Sequence, residues 1–253
     1  MDALNSKKWG SALTVVALSA FPGARAGDAT TFDPKAALTQ MYGGDTWKDP
    51  RLTSYFQWSK PKGGADVAYV SLGFDAPYTE GGHRKHVVVS ILTPEQPDQY
   101  GCHACTPLIG AGVFTLAGSS WQMESASLFI EDVASGHRFT LERAGPDRYV
   151  VRVHQQDDHQ GYELDRVDLL VPYQKDIRRA LTVGFNENPS PGACGDGSPQ
   201  ATDLTFDTQG SGELYDALTV VRKNEGECGH LRPTVEQERY TYAAGVYRLV
   251  KPN

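Results

Sequence analysis

From Ala65 to the end of the chain, apolar and polar residues alternate in short runs broken by Gly, Pro, Asp and Asn. A period of two sends successive side chains to opposite faces of an extended backbone, so each run reads as a half-buried β-strand. Twelve such runs stand out: DVAYVSLG, KHVVVSIL, GVFTLAG, WQMESASLFI, HRFTLER, RYVVRVHQ, YELDRVDLLV, ALTVGF, TDLTFD, LYDALTVVR, ERYTYA and VYRLV. Turn-forming stretches such as AGPD at 144–147 and QGSG at 209–212 link neighbours as antiparallel hairpins. The prediction is an all-β domain over 65–253, mainly antiparallel, arranged as a sandwich, a barrel or a propeller-like meander. No repeat of fixed period emerges, which counts against a regular propeller.

Residues 27–64 follow a different pattern. Asp33 precedes Pro34 as a helix cap precedes a first-turn proline, and Gly43-Gly44 supplies the stop, which predicts one short helix. Trp47, Tyr55, Phe56 and Trp58 then gather in a segment that ends at Pro61, Gly63 and Gly64. Such aromatics stack on sugar rings or enter a protein partner when exposed, and pin the segment onto the β-domain when buried. Burial is the commoner fate of large aromatics.

The first 26 residues form a third region. Lys7 and Lys8 lead into an apolar stretch from Trp9 to about Phe21, closed by Ala24-Arg25-Ala26. That order predicts a secretory signal peptide over 1–26 and a mature start at Gly27, with a periplasmic or secreted location. No other stretch approaches the length of a membrane span, and no cysteine stands at the cleavage point to carry a lipid, so no membrane anchor is expected. Loss of Asp2, Lys7, Lys8 and Arg25 takes the formal charge from -7 to -9. A chain this acidic is a poor candidate for nucleic acid, whose binding draws on Lys and Arg.

Oxidising conditions bear on the cysteines. Cys102 and Cys105 have C-x-x-C spacing around His103 in QYGCHACTPLIG. A thioredoxin-type pair needs a helix start to lower the thiol pKa, whereas TPLIGAGVFTLAG reads as loop and strand. A haem attachment needs His after the second cysteine, and Thr106 stands there. Zinc could use Cys102, Cys105 and His83, His86 or His103, although export favours disulfide over thiolate. Cys194 and Cys228 lie in Gly-flanked loops and make the natural second bridge, among three possible pairings. Closing that long loop contributes roughly 3 to 4 kcal/mol, against about 2 for the four-residue ring.

Other candidate chemistry is sparse. DTQGSGELYD, from Asp207 to Asp216, resembles the calcium loops of integrin-type FG-GAP repeats, but Gln209 and Ser211 replace acids, so a hairpin turn is the preferred reading. His154, Asp157, Asp158 and His159 in HQQDDHQGY suit a metal or acid/base work, and equally a polar turn. Ser59 and Lys62 have S-x-x-K spacing, interrupted by Pro61. The sequence holds no G-x-S-x-G, H-E-x-x-H or phosphate-binding glycine loop, and no cofactor is expected.

Through CHACTPLIG, GACG, YDALTVVR and YTYAAGVYRLV, the chain resembles uncharacterised secreted bacterial β-rich proteins that carry a CHACxPxxG stretch. The resemblance implies a compartment and a β-rich fold and brings no activity. The expectation is an exported, non-enzymatic envelope protein that binds a protein or glycan, a class that includes inhibitors and immunity-type proteins. The alternatives are a hydrolase with a dispersed site, and a thiol-disulfide or metal-handling protein using Cys102, His103 and Cys105. Loops at 97–110 and 188–200 are the expected contact surfaces, with Tyr100, His103, Leu108 and Asn188 as exposed binding residues.

Overall fold

The computed structural model describes residues 31–43, 46–47, 68–94, 107–132, 136–159, 162–188, 200–210, 212–225 and 232–250. The region 1–26, the residues Tyr55, Phe56, Trp58, Ser59 and Lys62, and all four cysteines with Tyr100 and His103 lie outside them.

The helix, α1, spans Pro34–Tyr42. Its start and stop are those written in the sequence: the Asp33 carboxylate accepts from the Lys35 N–H, and Gly43 takes a left-handed φ of 79° while its N–H donates to the Thr39 carbonyl. Strands follow in the order β1 (Thr46–Trp47), β2 (Ala68–Glu80), β3 (His83–Pro94), β4 (Leu108–Ala117), β5 (Ser120–Asp132), β6 (Gly136–Gly145) and β7 (Arg148–His159). Then come β8 (Tyr162–Tyr173), β9 (Asp176–Asn188), β10 (Gln200–Asp207), β11 (Asp216–Glu225), β12 (Arg232–Ala243) and β13 (Val246–Leu249). Each of the twelve expected runs lies wholly or mostly within a strand; β1 is the addition.

The strands form three antiparallel meanders: β1 to β5, β6 to β9, and β10 to β13, each in sequence order. The fold is all-β, and the sheets do not close into a barrel. Tight turns enforce the hairpins; Gly81 and Gly82 both have positive φ, the type I′ geometry that matches strand twist.

The sheets are stacked. Val87, Val89, Ile109 and Val113 of the first sheet pack on Phe139, Val151, Val153 and Leu170 of the second. The opposite face of the second sheet, with Val150, Val167, Leu169 and Val183, packs on Leu204, Ala217 and Tyr247 of the third. A sheet covered on both sides needs apolar residues in both phases of its alternation, which is why the β8 segment Val167–Val171 is buried throughout.

The far face of the first sheet carries α1 through Ala37, Met41 and Tyr42, which meet Val88, Leu92, Leu108 and Phe114. Gly110 and Gly112 make the platform. A Cβ at Gly110 would overlap the Tyr42 hydroxyl and lie 2.7 Å from the Leu128 carbonyl, while one at Gly112 would lie 2.8 Å from Met41 Sδ. The Tyr42 hydroxyl shares a hydrogen bond with Ser90 Oγ at 2.7 Å and donates to Leu128 O at 2.9 Å. The glycine that ends CHACTPLIG therefore serves close helix packing.

Candidate functional site

The β2–β3 and β4–β5 hairpins turn at the same end of the first sheet. Register decides what gathers there. Tyr78 pairs with Lys85 and Lys85 with Thr115, while Pro77 pairs with His86 and His86 with Phe114. Paired residues share a face, so Lys85 points toward the second sheet and its neighbours Arg84 and His86 toward the helix side.

On the helix side, α1 leaves the outer end of the sheet uncovered, and an open cleft of about 650 Å³ remains. Its lining includes Phe32, Pro77, Thr79, Arg84, His86 and Trp121. Phe32 stacks on the His86 ring at 3.7 Å and 8°, and meets Trp121 edge-on at 5.1 Å. His86 Nε2–H donates to Asp75 Oδ2 at 2.7 Å. The Arg84 guanidinium lies 6.0 Å above the Trp121 ring and has no carboxylate partner among the described residues. The Trp121 indole N–H is buried without an acceptor. Chemically, the cleft offers aromatic surface, hydroxyls and one uncommitted cation.

The other face is ionic. Lys85 Nζ bonds Glu80 at 2.6 Å and Glu124 at 2.9 Å, with Lys85 and Glu80 both buried. Thr115 donates to the second Glu124 oxygen. Arg148 of the β6–β7 hairpin lies 3.6 Å from Glu80 and 2.6 Å from Glu213, and the Gly81 N–H donates to Asp147 at 2.5 Å. Three sheets are thereby tied around a second cavity of about 400 Å³. Burial pulls the Lys85 pKa down, but hydrogen bonds to Glu80 and Glu124 outweigh it and hold the ammonium above its usual range. Burial pushes Glu124 up, and the bonds from Thr115 and Lys85 carry it below its usual range. Burial, then the Glu80 and Glu124 charges, keep the Tyr78 phenol neutral by raising its pKa far above the ordinary value.

The residues expected to act from sequence are placed differently. Leu108 corrects the expectation of exposure: it is the first residue of β4 and fully buried against the helix-side core. Asn188 ends β9 opposite Glu163. Tyr100, His103 and the cysteines are outside the described residues. His83 borders the ionic cavity and His86 the aromatic cleft, so two members of the expected zinc set separate to opposite sides. Asp207 and Asp216 face each other across the β10–β11 hairpin, and Arg239 bonds both, at 3.0 and 3.1 Å. A guanidinium thus occupies the space between the carboxylates of the calcium-like stretch. Within HQQDDHQGY, where a polar turn was expected, His154 to His159 are strand and β7 and β8 pair out to His159 and Tyr162; His154 bonds Asp165 at 2.7 Å.

Among the described residues, no group of three or more His, Cys, Asp or Glu side chains is placed to hold a metal, and no helix is long and apolar enough to cross a membrane. Sequence reasoning missed Phe32, Arg84 and Trp121. The available signal was the alternation in HRKH, which puts Arg84 and His86 on one face at a hairpin end. Comparison with protein-family models, curated proteins and solved structures finds no match.

Proposed function

We propose that the protein is an exported, non-catalytic binding protein of the cell envelope, and that the cleft beside Phe32 and Trp121 receives its glycan or protein partner. The observation that carries this reading is the uncommitted Arg84 cation set above an aromatic wall in a cleft of about 650 Å³. That volume lies in the range of ligand sites, and a few polar groups on an apolar lining are their usual make-up. The signal-like region 1–26 supports the location, and the net charge of -7 makes a cationic cleft an exception on an acidic molecule.

The test is affinity capture of envelope proteins and glycans by the purified chain and by Thr79→Trp, which fills the cleft from an exposed position. Capture should fall about tenfold, or 1.4 kcal/mol. Equal capture rejects the cleft. Export is checked by mass: protein from the envelope fraction should begin at Gly27.

The Asp75–His86 pair favours a second reading, a hydrolase, because a carboxylate that orients an imidazole is half of a nucleophilic site. Among the described residues His86 bonds Asp75 and no hydroxyl. Hydrolysis of a glycan or ester substrate that disappears in His86→Gln would reverse the preference.

A further inference from the structure

The cleft has a charge and a shape that narrow its ligand, given the reading that it is a binding site. We infer that it takes an acidic saccharide, with the sugar ring on the aromatic wall and the sugar carboxylate on Arg84.

Four observations converge. None of the described residues that line the cleft is a carboxylate. The two other basic groups in its lining are already engaged, Lys85 by Glu80 and Glu124 and His86 by Asp75. Among the described lining residues Arg84 alone is left to meet an anion, and a guanidinium presents two parallel N–H groups that match a carboxylate. A phosphate would call for further donors, and the described lining has no second uncommitted cation.

The remainder of the lining suits a sugar. Trp121, Phe32 and Pro77 present apolar surface of the kind that packs on the C–H face of a pyranose, while Thr31 and Thr79 stand ready for ring hydroxyls. Trp121 supplies the last point. Its buried indole N–H has no acceptor among the described residues, a deficit that a sugar oxygen could make good.

The experiment is calorimetric titration of the purified full chain with three probes: a uronic-acid trisaccharide, the neutral trisaccharide of the same linkage, and inorganic phosphate. The acidic sugar should bind, and more weakly at high salt. Arg84→Gln should weaken it about tenfold, with Arg84→Lys in between, because a lysine keeps charge and loses the fork. Arg84 is exposed, so both variants should keep the wild-type circular dichroism spectrum.

Neutral sugar bound as tightly as the acidic one, and lost in Thr79→Trp, would overturn the acidic specificity while leaving the cleft as the binding site. Phosphate bound as tightly as the uronate would overturn the choice of a sugar carboxylate. Failure of both sugars alongside capture of an envelope protein would overturn the saccharide. Failure of every probe and of capture would remove the cleft reading as well.

Discussion

Arg84 and Lys85 are adjacent in sequence and opposite in circumstance. Lys85 points into the space between sheets, where Glu80 and Glu124 bind it and Arg148 completes the set. Arg84 points to the helix side, above Trp121, with no ion pair to a carboxylate among the described residues. The difference teaches where a charge serves the fold and where it is free to serve a ligand. A buried cation without a partner would be very costly, so the inner face had to be closed by complementary charge. An exposed cation stays hydrated and costs little, which leaves the cleft face open to recognition.

The largest expected effect lies on the inner face. Lys85→Ala leaves Glu80 buried with Arg148 alone at 3.6 Å, and stability measured by urea unfolding should fall by about 3–5 kcal/mol. Adding Glu80→Leu to Lys85→Met should recover part of that loss, since the stranded charge goes too. A single Lys85→Ala within 0.5 kcal/mol of wild type, the scatter of ordinary surface changes, would place Lys85 with Arg84 and erase the contrast.

Gly110→Ala attacks the cleft through its support. The added methyl displaces Tyr42, at a cost of about 1–3 kcal/mol for overpacking. Because Phe32 immediately precedes the α1 cap and stacks on His86, Trp121 fluorescence should change with it. Unchanged emission would show that the aromatic wall stands without the helix.

Acid sharpens the comparison more gently. The folded pKa of Glu124 is below its ordinary 4.5, so its contribution is whole above that value and lost as pH falls through the lowered one. The side chain is 41 % exposed, and solvent keeps the effect under about 1 kcal/mol. Glu124→Gln should flatten the stability profile below pH 4.5. Lys85 acts in the reverse sense: its contribution is whole below 10.5 and lost as pH rises through its raised value. The smallest change belongs to Arg84→Gln, whose unfolding free energy should match wild type within about 0.5 kcal/mol.

The strands were legible because each carries a period of two, and α1 because Asp33, Pro34 and Gly43 are local signals. β1 was not, since Thr46 and Trp47 are too short a run to alternate. The choice between stacked sheets and a barrel depends on which faces meet, a long-range matter that local pattern does not encode. The cleft was hidden for the same reason. Phe32, His86 and Trp121 lie on three separate elements and meet only through register and helix docking. The cysteine loop is conspicuous in the sequence because its motif is contiguous. Leu108 sits in that motif and looked exposed, yet the next turn of chain carries it under α1.

The sequential meanders set the order in which the molecule can be assembled. Hairpins such as β2–β3, β4–β5 and β6–β7 close two-residue loops, so their pairing is entropically cheap and fast. The helix is the exception: Tyr42 must wait for Leu128, 86 residues later. The seat of α1 is thus a long-range contact, and the wall of the cleft is complete only where β3 and β5 are both in place.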